Sequence, residues 1–430
     1  MKQIFIKNGE KVSHRPHLQL SKPLKDGDYG LIFNDNTFWR EQRRFALHVL
    51  RDFGIGRPIL EHTIMDQATA VCDYIRSFNG KPIEFTQVLT TAIGNVIYQL
   101  AFGKTVDLNS ELILGFRNKL LETTLFFAHP LGFLCELWLP FRFLDPLFGG
   151  IYSKTLKLHF EMVDFMNQHI KEHRETINFE GEPRDYIDAF LMEQKKHNNL
   201  AETPEWSDKQ LCAAIYDLFS AGMETTSTST RTFILHIVRN PDVQKKIHEE
   251  IDREIGKDRA ITMADQTKLP YFTACLQELQ RISVILTLNL QRITNEDMNI
   301  DGYSIPKGTY IIPQFPSVHV DEAVFPVLLW YQIAVDNIIY QPDPHNFDPH
   351  RHLDENGNFV KDDRITPFSI GKRACLGESL ARMELFLFTA TFFQHFEFIP
   401  EIDGEIPSAD YEPGLIKSPK VFKVRAKERH

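Results

Sequence analysis

The 430-residue sequence predicts a mainly α fold with a minor β component, a single domain crossed by one long helix over 207–239. Three observations carry this expectation. Apolar residues recur every three to four positions along most of the chain, which is the helical period. Strand-like runs are few and late. No internal repeat, Gly/Ser linker or low-complexity tract divides the sequence into modules.

In chain order, helical spacing or strong helix formers mark 36–50, 57–78, 86–102, 151–175, 184–196, 207–239, 241–255, 270–284 and 376–394. The clearest opens at Ser207-Asp208-Lys209-Gln210, a capping-box pattern in which Ser207 and Gln210 satisfy free amide donors, and stops before Pro241. At 1.5 Å per residue, about 30 residues make a rod of roughly 45–50 Å, enough to cross a domain. Its flanks are apolar, but its centre reads Ala221-Gly222-Met223-Glu224-Thr225-Thr226-Ser227-Thr228. Glycine is a poor helix former, and Ser and Thr hydroxyls bond back to carbonyls one turn earlier. A functional bulge is therefore expected at the midpoint; alone, the same run also fits a surface helix with a Thr-rich face. A hairpin is expected over 302–312, turned at Ile305-Pro306-Lys307-Gly308, where Pro presets the turn and Gly closes it.

Apolar residues at 43% and charged residues at 25% give an ordinary globular balance with ample core material, and 34 phenylalanines can fill that core or line an apolar pocket. The net charge of −10 argues against a nucleic-acid partner. Cys72, Cys135, Cys212, Cys275 and Cys375 are odd in number and widely spaced, which fits neither a disulfide framework nor a zinc site and points to a reducing compartment. The opening MKQIFIKNGEKVSHRP has no apolar signal core or spanning run. The apolar stretch 327–340 is shorter than the ~20 residues a spanning helix needs, and it holds Gln332 and Asp336. His169 and His173 stand one turn apart, and His345, His350 and His352 crowd one loop. With no third ligand in view, both groups read as polar surface.

The strongest local signal is Phe368-Ser369-Ile370-Gly371-Lys372-Arg373-Ala374-Cys375-Leu376-Gly377-Glu378, followed by a helical run. A cysteine just ahead of a helix has its thiolate stabilised by free amides and the positive dipole end, and Arg373 adds a nearby cation. Gly371 and Gly377 carry no side chain to obstruct a flat ligand close to the backbone. This run resembles the haem-binding loop of the cytochrome P450 family position by position. Three further segments follow the family's order: Ala221 to Thr226 resembles its oxygen-activating stretch, Glu278 and Arg281 its Glu-x-x-Arg pair, and Phe347 to Arg351 the later segment whose Arg351 closes a triad. Trp39-Arg40-Glu41-Gln42-Arg43 looks like its Trp-x-x-x-Arg helix, in which Trp39 and Arg43 meet haem propionates.

The resemblance spans almost the whole chain and is nearest the microsomal, family-two type. It implies a P450-like fold over 1–430, haem b (iron protoporphyrin IX) held by the Cys375 thiolate, and cofactor contacts from Arg373, Trp39, Arg43, Phe368, Gly371, Gly377 and Ala221. Glu224 and Thr225 become the catalytic proton relay, while Glu278, Arg281 and Arg351 brace the chain structurally. It further implies insertion of one atom of dioxygen into a lipophilic xenobiotic, fatty-acid or steroid-like substrate on the cytosolic face of the endoplasmic reticulum. No strand followed by GxGxxG and no flavin segment is seen, so electrons come from a separate NADPH–cytochrome P450 reductase, with cytochrome b5 as a further donor. Arg40, Arg44, Lys372 and Arg382 are candidate docking cations for it.

Two departures stand out. The family's membrane anchor, hinge, first helix and first strands should precede residue 1, and Val327 to Pro342 interrupt a junction where Phe325-Pro326 should almost meet Asp343-Pro344. Both read as a gene-model fault or a variant transcript, with 327–342 an insert. At Leu290-Gln291-Arg292 relatives place Pro-His, and Arg292 stands in as a propionate contact. Phe126, Phe127, Phe219 and Leu288 are expected pocket residues. A truncated haem-binding product without turnover, or a haem-thiolate isomerase acting on peroxides, remains an alternative.

Overall fold

Ser207 accepts a hydrogen bond from the Gln210 amide at 3.2 Å, and from that cap the long helix runs unbroken from Asp208 to Arg239. It belongs to a computed structural model that describes residues 1–17, 27–35, 37–54, 58–197, 203–286, 289–321, 324, 343–412 and 414–429. The helices among these residues are α1 (Trp39–Asp52), α2 (Pro58–Ser77), α3 (Thr86–Phe102), α4 (Glu111–Leu125), α5 (Pro130–Leu137), α6 (Ile151–Thr176), α7 (Tyr186–Lys196), α8 (Asp208–Arg239), α9 (Pro241–Glu254), α10 (Pro270–Ile282), α11 (Phe315–His319) and α12 (Glu378–His395). All nine helices expected from the sequence are present. The periodicity misses α4, α5 and the one-turn α11. Gly115 interrupts α4, and the apolar run of α5 is too short to separate helix from strand.

The expected bulge at the midpoint of α8 does not form. The Thr225, Ser229, Thr230 and Thr232 hydroxyls donate to the carbonyls four residues back at 2.7–2.9 Å, so they are satisfied without opening the ladder. Gly222 serves packing instead, since a Cβ there would lie 3.2 Å from Ile97 on α3. The second half of the capping box is also absent: Gln210 Oε1 accepts from the Gly30 amide at 2.9 Å.

α8 lies in the core between α3, α6, α10 and α12. Phe219 meets Phe102 and Phe116 edge-on, and Phe233 meets Phe272 and Phe393 in the same way. Each ring buried this fully contributes about 1.5–3 kcal/mol. The strands form two-stranded antiparallel pairs: β1 (Arg292–Ile293) with β4 (Tyr310–Ile311), β2 (Met298–Ile300) with β3 (Tyr303–Ile305), β5 (Phe396–Pro400) with β8 (Val424–Glu428), and β6 (Tyr411–Glu412) with β7 (Ser418–Pro419). The expected 302–312 hairpin is thus split between two ladders. Asp301-Gly302, with φ of +52° and +88°, already reverses the chain, as a two-residue hairpin turn requires. β3 therefore pairs backward with β2, and the turn closed at Gly308 leads into β4.

Candidate functional site

The loop before α12 is closed by its own backbone. The Cys375 amide donates to the Phe368 carbonyl at 2.8 Å and the Ala374 amide to Gly371 at 3.0 Å. Gly371 has φ +80°, and a Cβ there would lie 2.0 Å from the Phe5 carbonyl oxygen, so this position admits only glycine. Gly377 caps α12, and its amide points at the Cys375 sulfur. Cys375 is exposed, whereas the other four cysteines are buried and burial pushes the Cys72 and Cys212 thiols up to about 12. The fold therefore offers a ligand one thiol, at a helix N-terminus. Burial of the sulfur pushes the Cys375 thiol up as well, against the expected stabilisation; the contacts that oppose this are the Gly377 amide and Arg43, not Arg373. Phe368 packs under the Arg382 guanidinium, 4.8 Å from its ring centre.

Arg373 belongs to a second feature, a group of guanidiniums in which it, Arg15 and Arg292 are buried and Arg43 is half-buried. Arg373 donates to the Ser13 and Asn34 carbonyls at 2.8 and 2.7 Å and lies 3.4 Å over the Trp39 ring. Arg15 donates to Ile32, Leu290 and Gln291 carbonyls at 2.7–3.0 Å. Arg292 donates to Ser369 Oγ at 2.7 Å and Arg43 to the Ala374 carbonyl at 2.6 Å. Burial and mutual repulsion hold Arg15 down to about 9, Arg292 to about 10 and Arg373 to about 8. The carboxylate facing them is Asp35, 3.6 Å from Arg373. Among the described residues, Arg373 Nη1 and both Nε and Nη1 of Arg292 have no hydrogen-bond partner. Buried cations with idle donors call for anions, and the two propionates of a haem supply that chemistry. The residues present thus fit the cofactor. Trp39, expected at the propionates, spends its indole N–H on the Leu31 carbonyl at 3.0 Å and offers Arg373 its ring. Arg15 escapes the sequence reading, although it stands within the opening segment MKQIFIKNGEKVSHRP.

On α8, Ala221 is exposed and Thr225 and Ser229 are half-buried at four-residue spacing, an open face midway along a helix otherwise packed in the core. Glu224 leaves on a neighbouring flank of the helix, turned away from that opening and toward α4. Its fully buried carboxylate accepts from Arg117 Nη2 on α4 at 2.9 Å, from Arg117 Nε, and from the Thr228 hydroxyl at 3.2 Å. Beneath, Arg281 donates to Glu278 through Nε and Nη2, both at 2.7 Å, and to the His319 and Pro344 carbonyls at 2.7 Å. Arg351 stands 3.6 Å from Glu278, an ion contact and not a second fork. The other Glu278 partners are His352 Nε2 at 2.9 Å and the Asp348 amide at 3.0 Å.

Several expectations need correction. His352, His169 and His173 are buried, not surface residues. Phe219 fills the core, and Phe126 packs on Tyr152 in a satellite cluster. Arg40 and Lys372 both pair with Glu10, and Arg382 pairs with Glu378 at 2.9 Å, so these cations have local partners. Leu288 and the 327–342 insert lie outside the described residues.

A family profile described as Cytochrome P450 matches residues 1–327 and 327–426. The chain is 39% identical over 433 residues to "Probable cytochrome P450 CYP36A1" of Caenorhabditis elegans, covering 100% of this chain and 84% of that protein. It is 37% identical to "Cytochrome P450 2C28" of Mesocricetus auratus, over 90% of this chain and 75% of that one. Against "Cytochrome P450 2C4" of Oryctolagus cuniculus the identity is 35%, over 92% and 76%.

Proposed function

Because the chain belongs to the cytochrome P450 family, and is therefore a haem monooxygenase whose iron is held by a cysteine thiolate, we propose that Cys375 is that ligand and that Arg15, Arg43, Arg292 and Arg373 hold the propionates. The observation that carries this assignment is the pairing of one exposed, helix-capped thiol with buried guanidiniums whose donors stand idle. Bound there, the haem supplies the dioxygen chemistry that places one oxygen atom in the substrate. The protein's own part is positional and protonic. Thr225 presents a hydroxyl on the open face of α8, where it would hold water and hand on a proton at Oγ1. Glu224 refills that relay through a change of partner, because its carboxylate rests on Arg117. Glu278 and Arg281 brace the segment 343–352, with Arg351 and His352 beside them.

The substrate we assign is a lipophilic molecule of xenobiotic, fatty-acid or steroid-like kind. Electrons come from NADPH–cytochrome P450 reductase, with cytochrome b5 as a further donor. The site of action we assign is the cytosolic face of the endoplasmic reticulum, which the resemblance to the family-two type implies. No helix among the described residues is long and apolar enough alone to cross a membrane. A surface does suit one: Phe133, Leu137, Trp138, Phe143 and Leu147, on α5 and the turns after it, are each at least 60% exposed.

The test is the carbon monoxide spectrum of the reduced, haem-loaded chain. A red-shifted thiolate band in the wild type that disappears in Cys375→His, with haem retained, is the expected result; a band that survives the substitution would refute the ligand assignment.

A further inference from the structure

His169 and His173 stand one turn apart on α6, and both are turned inward, 7% and 4% exposed. His173 is held through both nitrogens. Nδ1 lies 2.7 Å from the His169 carbonyl oxygen, and Nε2 faces Asp185 Oδ2 at 2.7 Å. Asp185 caps α7, its Oδ1 accepting from the Asp188 amide at 3.0 Å. Asp188 is held by the Arg184 guanidinium, through Nη2 at 2.9 Å and through Nε. The ligand atoms of His173, Asp185 and Asp188 lie within 4.8 Å of one another. A cavity of about 340 Å³ opens onto His173 and Asp185, with Glu172 and Lys104 on its wall. Beside it, the His169 side chain is 9% exposed, and its Nδ1 has no hydrogen-bond partner among the described residues and stands 3.7 Å from Glu172 Oε2.

We propose that His173, Asp185 and Asp188 form a binding site for a divalent transition-metal ion of the zinc class, distinct from the haem ligand Cys375. One imidazole nitrogen and two carboxylate oxygens are a donor set that such an ion takes; the ion replaces the Nε2 proton that His173 shares with Asp185 Oδ2, that proton leaves to solvent, and water from the cavity completes the coordination. A ring N–H given to a backbone carbonyl is the outer contact that orients a ligating histidine. The group an entering ion displaces from Asp188 is Arg184, whose side chain is 48% exposed and free to swing into solvent. The ion then ties the end of α6 to the start of α7, beside the end of α3. Gly103, the left-handed cap of α3, packs so closely that a Cβ there would lie 2.7 Å from Asp185 Oδ2.

The experiment uses the haem-loaded protein after chelator treatment, titrated with zinc chloride by calorimetry and native mass spectrometry. One ion per chain at micromolar or tighter affinity, with a raised unfolding temperature, is expected. His173→Gln should weaken binding at least tenfold without altering the thiolate spectrum, and Arg184→Gln, which removes the competing cation, should tighten it. Absence of stoichiometric binding in the wild type overturns the proposal, and so does an affinity unchanged in both His173→Gln and Asp188→Asn. If His173→Gln does not fold, the wild-type stoichiometry with Asp188→Asn and Arg184→Gln decides.

Discussion

Arg117 on α4 and Glu224 on α8 form a buried ion pair joined by two hydrogen bonds, with the Glu224 carboxylate at 0% exposure. Removing one partner of such a pair strands the other charge away from water, at a cost of about 3–5 kcal/mol. Arg117→Ala should lose that much stability in denaturant titration. Arg117→Met combined with Glu224→Leu should recover most of it, because no charge is left unpaired. A double variant no better than the single would show that the pair does more than neutralise itself.

Thr225 offers a hydroxyl to the open face while donating to Ala221 at 2.8 Å. Thr225→Val preserves the shape and deletes the proton carrier. Positioned proton transfer is worth roughly 10²–10⁴ in rate. Product formed per NADPH should fall sharply, with the electrons diverted to hydrogen peroxide, while the carbon monoxide spectrum stays intact. Unchanged coupling of electrons to product would count against the relay.

Arg292 keeps Nε and Nη1 idle in a buried setting. Arg292→Leu should therefore act with opposite signs on the two forms of the protein. The haem-free chain gains stability, because an uncompensated charge is gone. The loaded chain releases haem about tenfold faster or more, since a hydrogen bond to a charged group contributes about 1.5–3 kcal/mol. Transfer of haem to a scavenger protein measures the second effect, and a release rate equal to wild type would remove Arg292 from the propionate site.

Burial, reinforced by Arg239, holds His236 down from 6.5 to about 4, and burial does the same to His319. Above pH 6.5 both rings are neutral in the folded and unfolded chain, so their contribution is fully present. Between 6.5 and 4 the unfolded chain takes up protons that the native rings refuse, and stability falls by about 1.4 kcal/mol per pH unit for each. His236→Gln, which can still bond Ser283, should flatten the decline by one such increment. Denaturant midpoints across that window check it.

What the sequence makes legible follows the range of the interactions. The thiolate loop can be read because its chemical and backbone demands fall on eleven consecutive residues, Phe368 to Glu378. The long helix can be read because Ser207 and Pro241 mark its ends. Arg15 cannot, since its partners Asp35, Leu290 and Gln291 lie 20, 275 and 276 positions away. The same holds for His352, 74 positions from Glu278, and for Glu10, whose pairing with Arg40 and Lys372 depends on where the first turn docks. The sequence reading places the turn at Ile305–Gly308 and passes over Asp301-Gly302, because two turn signals stand close together and only pairing in space decides between them.

The close approach of Gly371 to the Phe5 carbonyl carries a practical consequence for anyone producing this protein. Phe5 sits one turn from Met1, bonded to its carbonyl at 3.0 Å, so whatever is fused ahead of Met1 emerges beside the wall of the thiolate loop. Affinity tags and leader swaps at this end should therefore be compared by their effect on the Soret spectrum, and a tag at the far terminus is the safer reference.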